Sequence, residues 1–360
     1  MGHHVSGAFY VFFGLERTPK RYRLYVPTFN FFTGAGQLVH NVLECLCKTK
    51  ATLPVDKIYA IRAIFPGSLG MLQVDYSRPT KDVFTDAARL ILKANKNVEL
   101  LRYACTGHRT DDFPSWVPPW DTPSVVPERL RKFAPAAVSP HPIIDEDSET
   151  EVLKLKALRV NTVTGNISAL FPLRPPLQRA WAPSRSDTAN ADEAFAIFKT
   201  WAMASPGGDN ADAYAKLRQF ASLMAEMCDL KAERIYAWFP MVWQLGDYGT
   251  GERYGYVMAP PEVHDARNFA AKLLQLTSGR ALFATEGGRV GMATTVVCEG
   301  DEVALLSGER LPYVIYRCAD RPGKHTVVCP CWVSGAVKGE AWPSRSGDGV
   351  EGDLEFIELV

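Results

Sequence analysis

The sequence predicts a mixed fold, α/β or α+β, with helices leading and a small antiparallel β structure closing the chain. Three observations carry that expectation. Apolar residues recur at three- and four-residue spacing in the first and middle blocks. A Pro-rich stretch separates those blocks, and after Gly279 the apolar period shortens to that of strands. The 360 residues are 47% hydrophobic and 22% charged, which suits one large or two ordinary domains.

The elements follow in order. Val5–Leu15 is apolar, with no basic residue before it and no small-residue cleavage site after it, so it reads as a buried strand rather than a signal peptide. Gln37–Lys48 places Leu38, Val42, Cys45 and Leu46 at helical spacing. Asp56–Phe65 reads as a short helix ended by Pro66-Gly67, and Gly67–Gly70 as a turn. Thr80–Asn95 is the clearest helix, with Val83, Phe84, Ala87, Leu90, Ile91 and Ala94 on one face. Thr80 would cap it, and Asp82 suits its positive end. Leu100–Cys105 is a short strand or a helix end.

Eight prolines between Pro114 and Pro142 then predict an extended connection, because proline breaks helices and donates nothing to a ladder. Val152–Val160 alternates as a strand with one wet face. Helices are expected over Asp192–Met203, Ala211–Leu230 and Asp265–Leu276. Strands are expected over Ala281–Thr285, Arg289–Met292, Glu302–Ser307, Leu311–Arg317 and Thr326–Val333, a small barrel or meander. The expected organisation is 1–121, a Pro-rich linker 122–150, a mainly helical 151–278, a small β domain 279–342 and a tail 343–360. That tail reads as loose, although Leu354–Val360 is apolar enough to dock.

Composition narrows the function. Forty basic residues balance forty acidic ones, against the basic excess usual in a nucleic-acid binder. No apolar run approaches the roughly 20 residues of a membrane helix. Without an export signal, the eight cysteines read as reduced thiols and the expected location is cytoplasmic.

Phosphate-loop, dinucleotide, zinc-protease and nucleophile-elbow motifs are all missing. Cys45-x-Cys47 and Cys329-x-Cys331 have poor spacing for a zinc ribbon. On a strand Cys329 and Cys331 share a face near His325, so a metal site there competes with reduced core thiols, the favoured reading; no metal is expected. Cys105 and His108 form a weak nucleophile pair, against a buried thiol and a surface histidine. Met224 and Met227 read as core.

Asp56, Lys57 and Tyr59 fall in one segment, and Asp75-Tyr76 ends the next loop. Asp56 and Tyr59 share a helix face. These carboxylates and phenols would hold a ribose or purine, or else cap a helix and pack two rings. Trp116 and Trp120 flank Val117-Pro118-Pro119 and read as a buried clamp, with base stacking as the alternative.

The order of these segments resembles the fungal heterokaryon incompatibility (HET) domain family. The family's distal half is matched by Ala51-Thr52-Leu53-Pro54-Val55-Asp56-Lys57-Ile58-Tyr59-Ala60, by Val74-Asp75-Tyr76-Ser77, by the helix opening at Asp82-Val83-Phe84, and by Phe113-Pro114-Ser115-Trp116-Val117-Pro118-Pro119-Trp120. The region that often follows is matched by Gly279–Thr285, Gly288–Gly291, Gly300–Val303 and Leu311–Val314. The family's opening Tyr-x-x-Leu-Ser-Tyr-x-Trp-Gly strand and its Cys-Ile-Asn-Gln segment are not found.

The resemblance therefore implies a partial HET domain of TIR-like α/β type. It implies a role in non-self recognition and programmed cell death, as a signalling or effector module that meets protein partners and is open to oligomerisation. An NAD- or nucleotide-hydrolysing enzyme, and an inactive truncated paralogue, are the alternatives. With the proximal motifs missing, no enzyme activity and no cofactor are expected; NAD or another nucleotide is the alternative. The motif residues Asp56, Lys57, Tyr59, Asp75, Tyr76, Trp116 and Trp120 are the site candidates.

Overall fold

The computed structural model describes residues 50–62, 65–95, 98–104, 113–121, 144–145, 151–171, 196–197, 200–203, 210–228, 231–233, 235, 276–309, 311–336, 340–342 and 354–360. The expected elements at Val5–Leu15 and Gln37–Lys48, the Cys105/His108 pair and nearly all of Asp265–Leu276 lie outside the described residues.

Helix α1 spans Asp56–Arg62. It ends before Pro66, as expected. Pro66 itself opens a further short helix, α2 (Pro66–Leu69), where proline's missing N–H costs nothing at the first turn. The stretch expected to be a turn is thus one turn of helix. Helix α3 covers Thr80–Asn95, as its periodicity predicted. Its cap differs: the Pro79 carbonyl accepts from Asp82 and Val83, so Thr80 is already inside the helix. The buried face is also rotated, with Ala88 and Leu92 buried and Ala94 exposed. A 3-10 turn, Glu99–Tyr103, occupies the apolar run expected as a strand or helix end.

Among the described residues eight strands form one sheet: β1 (Ile144–Asp145), β2 (Leu153–Ile167), β3 (Ala281–Thr285), β4 (Val290–Ala293), β5 (Glu302–Leu306), β6 (Pro312–Arg317), β7 (Lys324–Val333) and β8 (Glu355–Leu359). All pairings are antiparallel except β7–β8. The long strand β2 organises them. Its first half pairs β1 and β8, its middle pairs β5, and its end pairs β3. From β2 the pairing path runs through β3, β4, β7, β6 and β5 and returns to β2. The stretch Leu354–Val360, read as able to dock, does so as β8.

Glycine is required at two positions of the β3–β4 hairpin. Gly288 turns β3 into β4 with φ 69°, a left-handed value that side chains disfavour. Gly291 lies opposite Phe283 in the register, and a Cβ there would overlap the Phe283 ring.

Two cores result. The first lies between the helices and one side of the sheet. Val83, Phe84, Ala87 and Ile91 of α3, Ile58 of α1, Trp116 and Trp120 meet Leu155 of β2, Leu306 of β5, Tyr313 of β6 and Ile357 of β8. The second joins Val163, Phe283, Val303, Val314, Cys329, Cys331 and Val333. Helix α4 (Asn210–Cys228) buries Leu217, Phe220, Ala221, Met224 and Met227, so the methionine pair is core.

A bulge in β7 decides which core each side chain joins. Val314 pairs Cys329 but Ile315 pairs Val327, leaving Val328 as an extra residue. One inserted residue reverses the facing of everything beyond it. Val327 therefore packs in the first core, whereas Cys329 and Cys331 pack in the second.

Candidate functional site

Helix α1 presents Asp56, Tyr59 and Arg62 at i, i+3 and i+6, one stripe of its surface. The segment 70–77 runs back along that stripe. The Tyr59 hydroxyl donates to the Asp75 carbonyl at 2.9 Å and lies 3.2 Å from the Asp75 amide, which donates to it. The Tyr76 hydroxyl donates to Asp56 Oδ1 at 2.9 Å, and the two phenol rings meet edge to face at 5.3 Å. The Asp75 carboxylate accepts from the Ser77 hydroxyl at 2.6 Å and the Ser77 amide at 2.8 Å. Those two bonds hold its carboxyl below the usual range. The bond to Asp56 raises the Tyr76 phenol, which keeps its proton. The sequence motif thus joins Asp56, Tyr59, Asp75 and Tyr76 into one hydrogen-bonded group.

Lys57 points the other way, into the core. It is 7% exposed, and its ammonium donates to the Trp120 carbonyl. Trp116 and Trp120 are both fully buried. Trp120 meets Phe84 of α3 edge to face at 5.1 Å. Trp116 donates from Nε1 to the Glu151 carbonyl at 3.0 Å, and the Arg89 guanidinium lies 5.4 Å from its ring centre. Ser115, just before Trp116, is a two-way fastener. Its amide donates to the Val360 carbonyl at 2.8 Å, and its hydroxyl accepts from the Val327 amide at 2.9 Å. The Pro-Ser-Trp segment therefore ties α1 and α3 to the ends of β7 and β8. The two tryptophans and Lys57 are buried, whereas Asp56, Tyr59 and Asp75 are half-buried and Tyr76 is exposed, so the structure separates the candidates into two groups.

Sequence reading missed a buried ion pair. Arg102 Nε donates to Glu309 Oε2 at 3.1 Å and Nη2 to Oε1 at 3.0 Å, while the Tyr313 hydroxyl reaches Oε2 at 3.1 Å. Arg102 is 5% exposed and Glu309 2%. Burial alone would lower the guanidinium, but the Glu309 carboxylate outweighs it and raises it above its ordinary value. A lone arginine in the apolar run Leu100–Tyr103 was the available signal; its partner lies 207 residues away.

The charged cluster around His325 was also missed. His325 is 3% exposed and neither ring nitrogen has a hydrogen-bond partner among the described residues. Glu302 Oε2 lies 3.8 Å from Nε2, and Glu302 itself is bound by Arg317 at 2.8 Å and Arg159 at 3.4 Å. Arg159 also grips Glu355 of β8. Burial lowers the His325 pKa first; Arg159 and Arg317 lower it further, against the pull of Glu302 and Glu355. A histidine depressed in the fold binds its proton more readily when unfolded. Its contribution is therefore fully present above about pH 6.5 and is lost as pH falls through the folded value. Thermal melts from pH 7.5 to 5 will show a falling Tm in the wild type and a flatter profile in His325→Gln.

The β7 bulge turns Cys329 and Cys331 away from His325. Both thiols face the second core, whereas His325 lies before the bulge beside Glu302. Burial pushes the Cys329 thiol up to about 12 and Cys331 well above the ordinary range, so both stay protonated. Among the described residues no three His, Cys, Asp or Glu side chains converge as metal ligands do. No helix among them is long and apolar enough to cross a membrane.

Fold and site together define a mixed helix-and-sheet protein whose motif residues fasten helices to an antiparallel sheet. The sequence is similar to that of heterokaryon incompatibility protein 6, OR allele, of Neurospora crassa, at 24% identity over 316 residues. The similarity covers 72% of this chain but 44% of that protein, so the chain spans less than half the length of the relative it matches. It is thus a distant relative of a heterokaryon incompatibility protein. No family model and no solved structure matches the chain.

Proposed function

We propose that this protein acts in fungal heterokaryon incompatibility, as a cytoplasmic signalling or effector module that works through protein contacts and feeds a cell-death response. The similarity to a heterokaryon incompatibility protein over 72% of the chain carries this reading. The motifs Asp56–Tyr59, Asp75-Tyr76 and Pro114–Trp120 support it, because they lie in the similar order of the HET family and make one interlocked unit here. The strand path that returns to β2 supports a small closed β barrel as the platform of that unit. The TIR-like character of the helical part rests on the family resemblance.

Induced expression of the full chain in a fungal host tests the reading, with the amount of folded protein measured in parallel. Arrested or dying colonies are expected. Healthy colonies holding abundant folded protein would overturn an effector role for this chain. Release of nicotinamide from NAD by the purified protein would instead favour the hydrolase alternative.

A further inference from the structure

The segment between α1 and α3 is a strap pinned on its underside and apolar on its outer side. Three bonds lace it along the α1 stripe: Arg62 Nη2 to the Gly70 carbonyl at 3.0 Å, Tyr59 to Asp75, and Tyr76 to Asp56. Helix α1 is roughly 10 Å long, so the three pins lie within one short ridge. Above them Met71 is 84% exposed, Tyr76 59% and Val74 49%. Leu53, whose carbonyl accepts from the Asp56 amide, is 49% exposed at the same end as Tyr76. Nine large apolar side chains are exposed among the described residues, and four of them crowd into this one strap and its approach. Scattered exposure is ordinary; a cluster is the mark of a contact surface.

The ridge also has a sign. Asp56 and Asp75 carry its carboxylates, and neither forms an ion pair among the described residues. The basic groups around them are committed elsewhere. Lys57 is buried against the Trp120 carbonyl, Arg62 holds Gly70, and Arg78 is paired with Asp86 at 2.6 Å. The Tyr76 ring is locked by its hydroxyl bond and by its edge contact with Tyr59, so a partner would lose little side-chain freedom in meeting it. A preorganised, exposed tyrosine beside apolar neighbours is the residue type that dominates binding energy at interfaces.

We propose that this strap is a docking ridge for a cationic amphipathic segment of a partner protein. Its apolar side chains would pack on Met71, Val74 and Tyr76, and its Lys or Arg side chains would face Asp56 and Asp75. The proposal rests on the reading of this chain as a module that works through protein contacts, and it names the chemistry of that contact. Charge pairing at an exposed rim makes the encounter depend on salt.

Two helical peptides with identical leucine positions, one carrying lysines and the other glutamates, provide the probe. They are titrated into the full chain by fluorescence anisotropy. The lysine peptide is expected to bind, more tightly as salt falls, and the glutamate peptide at least tenfold more weakly. Met71→Ser/Val74→Ser is expected to lose at least tenfold of the lysine-peptide affinity. Asp56→Asn still accepts the Tyr76 bond, so it is expected to lose several-fold and to flatten the salt dependence. The substituted side chains are exposed or half-exposed at the strap, and unchanged melting curves will confirm intact folds. Equal affinity of both variants and wild type would overturn the proposal. Sedimentation showing that wild type self-associates, and that the serine variant does not, would also overturn it, since a second copy would then be the occupant. The colony assay separates the two readings. Inert wild-type protein refutes the incompatibility role, whereas undiminished peptide binding by the serine variant refutes the ridge alone.

Discussion

Trp120→Ala will destabilise the protein by about 3–5 kcal/mol, the range for emptying a large buried aromatic site. The indole is fully buried and meets Phe84 of α3 edge to face at 5.1 Å. Its carbonyl also receives the Lys57 ammonium, so the residue links α1, α3 and the Pro-rich segment at one point. Alanine keeps that carbonyl but removes the ring against which α3 is seated. The remaining cavity cannot collapse easily, because the adjacent strands are fixed by their register. Urea unfolding followed by tryptophan fluorescence and far-ultraviolet circular dichroism will read the change as a lower midpoint with a similar slope. Trp116→Ala should cost a comparable amount, since its ring is equally buried and its N–H is bonded to the Glu151 carbonyl. A loss below about 1 kcal/mol at either position would remove that indole from the core clamp.

Glu309→Gln will cost about 3–5 kcal/mol, because it leaves the Arg102 guanidinium buried without its counter-charge. The geometry magnifies the effect: both carboxylate oxygens are used by Arg102, and one is shared with Tyr313. The pair also joins the 3-10 turn to the β5–β6 corner, so its loss loosens the helices from the sheet. The double change Arg102→Met/Glu309→Leu should recover much of the loss, since two apolar side chains of similar size remove both charges together. Urea midpoints of the two singles and the double complete a mutant cycle. Additive losses would mean that the pair is not coupled.

Much of this molecule was legible in one dimension. Helix α3 follows from the apolar spacing of Val83, Phe84, Ala87 and Ile91, and five strands after Gly279 follow from their alternation and their glycine corners. The motif Pro114–Trp120 was legible as a buried clamp because two indoles and three prolines leave a short segment few ways to stay wet. Other features depended on partners far away in the chain. Pro66 follows the end of one helix and also opens the next, and the packing of Leu69 into the first core holds that second turn. His325 and Cys331 have the same parity in sequence, and one extra residue at Val328 leaves Cys331 in the second core and His325 beside Glu302.

By itself the sequence determined the local choices, where a period of about 3.6 or 2 residues, a proline or a glycine limits the backbone directly. It also determined the resemblance that frames the proposed role. Tertiary structure alone decided that Glu309 neutralises Arg102, that Glu302 lies beside His325, and that Asp56, Tyr59 and Arg62 pin a strap. Those outcomes depend on long-range pairing and register, which bring together residues whose separation in the chain carries no signal of their contact.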